Sequence, residues 1–203
     1  FSFDGYDVVI SVTSAEAKNI ITKPGTVHIC YCLTPTRYLW SGRETYEQES
    51  GLVGKFLRSA APTLRHWDRI GASRPDFYLA ISHHVAGRIE KYYHRTVEKI
   101  IYPPVDTELF TKKSNEKGMK SGPFLCVSRL VPYKRLDILV DAFNELGWPL
   151  IIIGSGWSES ALRREARGNI TFIGDHLTDS KLALYYQKSR AFVFAGVEDL
   201  GLV

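Results

Sequence analysis

A chain of 203 residues, 44% hydrophobic and 24% charged, is long enough to bury a full core as one domain or two small ones. Its net charge of +4 suits anionic ligands or surfaces but falls far short of a nucleic-acid tail, and no apolar run reaches the length that crosses a bilayer. Three cysteines, Cys30, Cys32 and Cys126, make neither a C-x-x-C pair nor a zinc pattern, so they read as buried free thiols of a cytoplasmic protein.

In chain order, DVVISV (7–12) predicts a strand, 15–21 a short helix and TVHICYC (26–32) a second strand. Residues 52–70 predict a helix kinked at Pro62. Lys55, Arg58, Arg65 and Arg69 fall in one narrow sector of it, and Leu52, Phe56, Leu64, Trp67 and Ile70 on the other side. Two readings of the basic sector stand: a solvated face on a core helix, or contact with an anionic membrane surface. Nucleic acid is not expected there, because the cations share a face with no interleaved aromatics. DFYLAIS (76–82) leads into a helix, HHVAGRIEKYY (83–93), and VEKIIYPP (97–104) closes the block with a prolyl pair.

Residues 106–121 lose apolar periodicity and carry most of the run KKSNEKGMKSG, the composition of a linker. A second series follows: PFLCVS (123–128), a helix after Lys134, PLIIIGSG (149–156), a helix over 158–166, ITFIGD (170–175), a helix over 180–189 and RAFVFAG (190–196). Strands alternating with helices indicate an α/β protein with parallel sheets, divided as 1–105, linker 106–121 and 122–203.

The stretch VSRLVPYKRLDILVDAF (127–143) concentrates the chemistry. Arg129 stands where a buried strand ends, and open α/β sheets bind ligands beyond the carboxyl ends of their strands. Leu136, Leu139, Val140, Phe143 and Leu146 recur at helical spacing, which starts the helix close to Lys134 with Pro132 in or before its first turn. Two cations beside a helix start fit a diphosphate. Equally, they fit surface charges paired with Asp137, Asp141 or Glu145. GSG (154–156), after a buried run, offers permissive backbone at another strand end but lacks the full dinucleotide fingerprint.

Taken together, SRLVPYKRLDILVDAF, IIIGSG, ITFIGDHLTDSKLALYYQKSRAFVFAGVEDLGLV and IYPPVD resemble glycosyltransferase family 4, the retaining GT-B enzymes that use nucleotide sugars. ITKPGTVHICYCLTPTRYLW, LRHWDRIGASRPDFYLAIS and VAGRIEKYY resemble the acceptor-side domain of its mannosyltransferase-like members. The resemblance implies two Rossmann-like domains facing a cleft. Residues 1–105 would be the later part of the acceptor-side domain and 122–203 the first part of the nucleotide-sugar domain, a fragment truncated at both ends. It implies that Arg129 and Lys134 hold the donor diphosphate, and that Glu198 matches the first glutamate of an E-x7-E motif and contacts the sugar. Gly154, Ser155 and the backbone of Gly174, Asp175, His176 and Leu177 would complete the nucleotide pocket. Thr34, Arg37 and Tyr38 would serve the acceptor side, with Leu33 where many relatives carry histidine. The implied reaction is a metal-independent hexosyl transfer, mannosyl or glucosyl. Its donor is a nucleotide-diphosphate sugar, GDP-mannose foremost, and its acceptor a saccharide or lipid-linked molecule at the inner face of the membrane. No cofactor is implied, and the alternative is a non-catalytic nucleotide- or membrane-binding protein of the same fold.

Overall fold

The computed structural model describes residues 2–44, 51–111, 122–174 and 176–201, without the side chains of Leu52 and Val53. The chain divides into two units: one runs to Pro104 and takes in Asp199–Gly201, and the other holds Val105–Glu198. Of the stretch read as a linker, residues 112–121 lie outside the described residues, and Thr111 and Phe110 belong to the second unit, where the Thr111 carbonyl accepts from Gln187 and Phe110 packs edge-on against Tyr186.

The first unit contains β1 (Val8–Thr13), β2 (Val27–Cys32), α1 (Gly51–Ala72), β3 (Phe77–Ala80), α2 (His83–Tyr93) and β4 (Lys99–Ile100). Its four strands are parallel in the order β1-β2-β3-β4, with Val8 opposite Val27, Ile29 opposite Phe77 and Leu79 opposite Lys99. Because spatial order follows chain order, right-handed crossovers lay α1 and α2 on the same face. Cys30 and Cys32 of β2 point to that face and pack with Ala72, Tyr78, Val85, Ile89 and Tyr93. Val8, Ile10 and Val12 of β1 point the other way and are exposed. Ser82 caps α2, its hydroxyl accepting from the Val85 N–H at 3.1 Å.

The sequence expects a helix over 15–21, and the structure has a single 3-10 turn, Glu16–Asn19. So short a helix is marginal on its own, and the turn is held from inside: the buried Lys18 donates to the Ala15 carbonyl at 2.7 Å. The helix expected over 52–70 forms and continues through Pro62, but it turns neither expected sector fully inward: Lys55, Arg58 and Arg69 are exposed as a solvated face requires, and so are the described apolar side chains opposite them. Gly54, Ala61 and Asp68 face inward, while Phe56, Leu64, Trp67 and Ile70 are exposed. Arg65 turns toward the protein, stacking on Trp40 with its guanidinium 5.0 Å from the ring centroid and donating to the Leu39 carbonyl at 2.7 Å. A guanidinium on an aromatic face keeps its charge solvated by the ring, so an arginine can occupy the inner side of a helix.

The second unit contains β5 (Phe124–Val127), a 3-10 turn (Pro132–Lys134), α3 (Leu136–Leu146), β6 (Leu150–Ile153), α4 (Glu159–Glu165), β7 (Ile170–Ile173), α5 (Asp179–Lys188) and β8 (Ala191–Phe192). All strands are parallel in the order β7-β6-β5-β8. The chain steps from β5 outward to β6 and β7, then returns to the far side of β5, which is the half-Rossmann order 3-2-1-4. Its core, which includes Cys126, Leu130, Val140, Phe143, Leu150, Ile152 and Leu162, is apolar. Burial pushes the Cys126 thiol up to about 12, and all three cysteines are buried free thiols.

Candidate functional site

The reversal of strand order falls between β5 and β8, and in open α/β sheets the crevice outside the carboxyl ends at such a point is where ligands bind. The segments leaving these two strands carry Arg129 and Lys134 on one side and Glu198 on the other. Lys134 donates from Nζ to Glu198 Oε1, with both side chains largely buried. The same ammonium lies 5.3 Å from the Tyr133 ring centroid and 5.6 Å from that of Phe194. The β8 segment can pass this close because residue 196 is glycine: a Cβ there would stand 3.0 Å from the Lys134 carbonyl oxygen and 2.9 Å from the Phe194 ring.

Lys134 ends the 3-10 turn, and α3 begins two residues later, after Arg135 in a left-handed conformation at φ 52°. The sequence expects the helix to start close to Lys134, and its α-helical part starts two residues on, at Leu136. The difference follows from Leu136, which is buried as the first helical residue, and from Arg135, which folds back to pair with Asp137 at 3.0 Å and holds that carboxyl below its usual range. The reading in which Asp137 neutralises Arg129 or Lys134 is therefore overturned. Arg129 is exposed, and its guanidinium has no hydrogen-bond or ion-pair partner among the described residues.

A pocket of about 270 Å³ opens at the ends of β5 and β6, lined by Val127, Ser128, Arg129, Ile153, Gly154, Ser155, Leu177 and Leu182. Backbone hydrogen bonds knit its floor: the Ser128 N–H donates to Ile153 and the Leu130 N–H to Ser155, at 3.0 and 2.8 Å. Gly154 lies at φ 143°, and a Cβ there would stand 1.9 Å from the Ser128 carbonyl oxygen. Only glycine lets the two strand ends approach so closely. Of the residues expected to bind the nucleotide, Gly154, Ser155 and Leu177 line this pocket together with Arg129. Gly174 and His176 are exposed on the segment after β7 and do not line it, and Asp175 lies outside the described residues.

The acceptor-side residues belong to the first unit, on the segment after β2. Thr34 is buried, 3.4 Å from Arg88 Nη1. Arg37 and Arg88 both donate to the Asp199 carboxylate, and Ser82 donates to the Asp199 carbonyl. Tyr38 donates to Glu16. Leu33, directly after β2, packs against the apolar cluster of this unit, and His28 of β2 is buried against Ser11 at 2.9 Å.

Sequence reading misses what holds this segment. Asp68 of α1, buried, accepts through Oδ1 from Lys18 Nζ at 2.6 Å and Thr36 Oγ1 at 2.8 Å, and through Oδ2 from Trp40 Nε1 at 2.7 Å. One carboxylate thus ties Thr36 and Trp40, the two ends of the turn that presents Arg37 and Tyr38. The available signal is that Asp68 is the one acid between residues 51 and 75.

Comparison with known proteins places these observations. Residues 108–203 match the family model of glycosyl transferases group 1. The D-rhamnosyltransferase WbpZ of Pseudomonas aeruginosa is 29% identical over 153 residues, which is 70% of this chain and 36% of that protein. Among solved structures, AviGT4, a glycosyltransferase involved in avilamycin A biosynthesis, aligns at 14% identity and a TM-score of 0.51, covering 92% of this chain and 44% of its own. An alpha-glucosyltransferase solved with UDP-glucose and DNA containing an abasic site aligns at 12% identity and 0.53, covering 92% and 52%. The chain thus spans about a third of the curated relative and about half of these structures. The fold is α/β, built of Rossmann-like units as in the GT-B glycosyltransferases.

Proposed function

We propose that the protein carrying this chain is a retaining family 4 glycosyltransferase that moves a hexosyl group from a nucleotide-diphosphate sugar to a saccharide or lipid-linked acceptor. The observation that carries the reading is the Lys134–Glu198 pair at the β5/β8 reversal, together with a pocket at the ends of β5 and β6 that Arg129, Gly154 and Ser155 line. Cleaving the bond between a sugar and a nucleoside diphosphate leaves negative charge on the departing phosphate and an oxocarbenium-like sugar. Arg129, with no competing partner among the described residues, and Lys134 supply the positive charge that meets it. Glu198 pairs with the Lys134 ammonium. When the diphosphate takes over that ammonium, the carboxylate becomes free to accept hydrogen bonds from sugar hydroxyls. Arg37 and Tyr38, fixed by the Asp68 tie, face the acceptor in this reading, and Arg129 and Lys134 together carry the charge role without a metal.

The sugar follows from the donor pocket. Because the curated relative is a D-rhamnosyltransferase, a 6-deoxyhexose donor belongs in the test set beside GDP-mannose, UDP-glucose and ADP-glucose. The full-length protein titrated with each donor should release nucleotide with at least one of them. Lys134→Ala or Arg129→Ala should lower turnover at least about 100-fold, the loss typical of removing one preorganised donor to a developing anion. Normal turnover by both variants would sink the assignment. Donor binding with no release on any acceptor would replace it with a non-catalytic nucleotide-binding role.

A further inference from the structure

Within the first unit, two arginines from different elements converge on one carboxylate. Arg88, in the second turn of α2, reaches Oδ1 of Asp199, and Arg37, on the segment after β2, reaches Oδ2. Their side chains are only 16% and 25% exposed. Arg88 meets both Asp199 and, at 3.4 Å, Thr34 Oγ1 through the same Nη1, so among the described residues its Nε and Nη2 have no acceptor. Thr34 follows β2, and Ser82, which caps α2 and donates to the Asp199 carbonyl, follows β3. The cluster therefore sits where β2 and β3 end, on the side of a parallel sheet where ligands bind.

We propose that Arg37 and Arg88, with the Thr34 hydroxyl beside them, form a cradle for a phosphate group carried by the acceptor, and that the Asp199 carboxylate competes for the same donors. Identifying the carrier as the acceptor rests on the glycosyltransferase reading; the cradle itself does not. A guanidinium offers five N–H donors in a planar fork, and Asp199 gives each arginine one oxygen. Donors left without an acceptor on a largely buried arginine cost free energy that an incoming oxyanion recovers. A phosphate brings more oxygens and a second negative charge, so it can take bidentate bonds from both guanidiniums at once, and the neighbouring hydroxyl can donate to it as well. A sugar phosphate and a sugar joined through diphosphate to a lipid share this chemistry.

The first test is a titration of inorganic phosphate into the full-length Arg129→Ala/Lys134→Ala protein, which lacks the cations of the donor site. In that background Arg88→Gln should weaken phosphate binding at least about 10-fold, and Asp199→Asn should tighten it about 10-fold by removing the competing anion. Arg88→Lys should keep only part of the affinity, because an ammonium lacks the planar fork, and it carries the test if Arg88→Gln does not fold. A purely structural clamp gives a different pattern: each variant lowers the unfolding temperature and none changes phosphate binding. That pattern, or no saturable phosphate binding by the Asp199→Asn protein, would overturn the proposal. With the donor site intact, transfer to a sugar phosphate and to a prenyl diphosphate-linked sugar is compared with transfer to the octyl glycoside of the same sugar. Arg88→Gln should raise KM at least about 10-fold for the phosphate-bearing acceptor and leave KM for the donor and for the octyl glycoside unchanged. The arm with the larger rise identifies the carrier, and equal effects in all arms would overturn the assignment to the acceptor. Failure of the glycosyltransferase reading would appear as no transfer in any arm with the phosphate titration unaltered, so the two ideas fail separately.

Discussion

Nine polar or charged residues are buried among the described residues, and all nine, including Lys18, His28, Thr36 and Asp68, lie in the first unit. The interior of the second is apolar, from Leu125 and Leu150 to Phe143 and Leu162. The contrast shows two ways of placing a loop. The second unit builds a generic platform and lets strand order choose the site, so Arg129, Lys134 and Glu198 are positioned by where β5 and β8 end. The first shapes a turn through particular hydrogen bonds, with Asp68 gripping Thr36 and Trp40 on either side of Arg37 and Tyr38. Apolar packing tolerates change in volume and shape more readily than a buried charge tolerates loss of its partner.

The most severe test of that contrast is Lys18→Met, which leaves the Asp68 carboxylate buried without its cation. It should cost about 3–5 kcal/mol in equilibrium unfolding. Lys18→Met/Asp68→Asn removes both charges while keeping an acceptor for Trp40, and should recover part of that loss. A cost under about 1 kcal/mol for the single variant would mean that the pair is not structurally demanding, and the contrast would collapse. Leu125→Ala in the second unit should cost about 2–5 kcal/mol through the cavity it leaves. Its effect should fall on unfolding and leave the loop contacts of the first unit untouched.

A smaller and sharper difference lies in pH. Burial disfavours the charged imidazole of His28, and the nearby Asp76 opposes this only in part, so its pKa is lowered from 6.5 in the folded chain. Its Nδ1 is buried with no partner, and Nε2 engages Ser11. The unfolded chain therefore takes up this proton first as pH falls. Stability should be full above about 6.5 and decline below it, until the folded imidazole also protonates. Denaturant unfolding on either side of that value should show the loss in the wild type and a flatter profile in His28→Gln. The second unit has no buried histidine among its described residues and should contribute no such slope.

Much of the fold is legible in the chain because its signals are local. Alternation in VVISVT and VHICYC, the run LIII and the helical spacing from Leu136 to Phe143 each decide an element within one short window, and the elements alternate as parallel α/β units must. The cations at Arg129 and Lys134 are legible for the same reason, since a strand end followed by a helix is a local event. Less legible was the end of the 3-10 turn at Lys134: Arg135 bonds two residues ahead to Asp137, and periodicity does not register a left-handed residue. Glu198 as partner of Lys134 is 64 residues away, and its pairing follows from strand order.

The sequence by itself determined the class of fold, the order of its elements and the cations that stand at the end of β5 and before α3, because each depends on neighbours within a few turns of chain. Only the tertiary structure decided which face of α1 looks inward. Periodicity separates a basic sector from an apolar one, but their orientation depended on Trp40 receiving Arg65 and on Lys18 reaching Asp68 from 50 residues away. A buried charge requires one specific partner, and that partner is chosen by packing; this is why the helix carries its aromatics outside and its aspartate within.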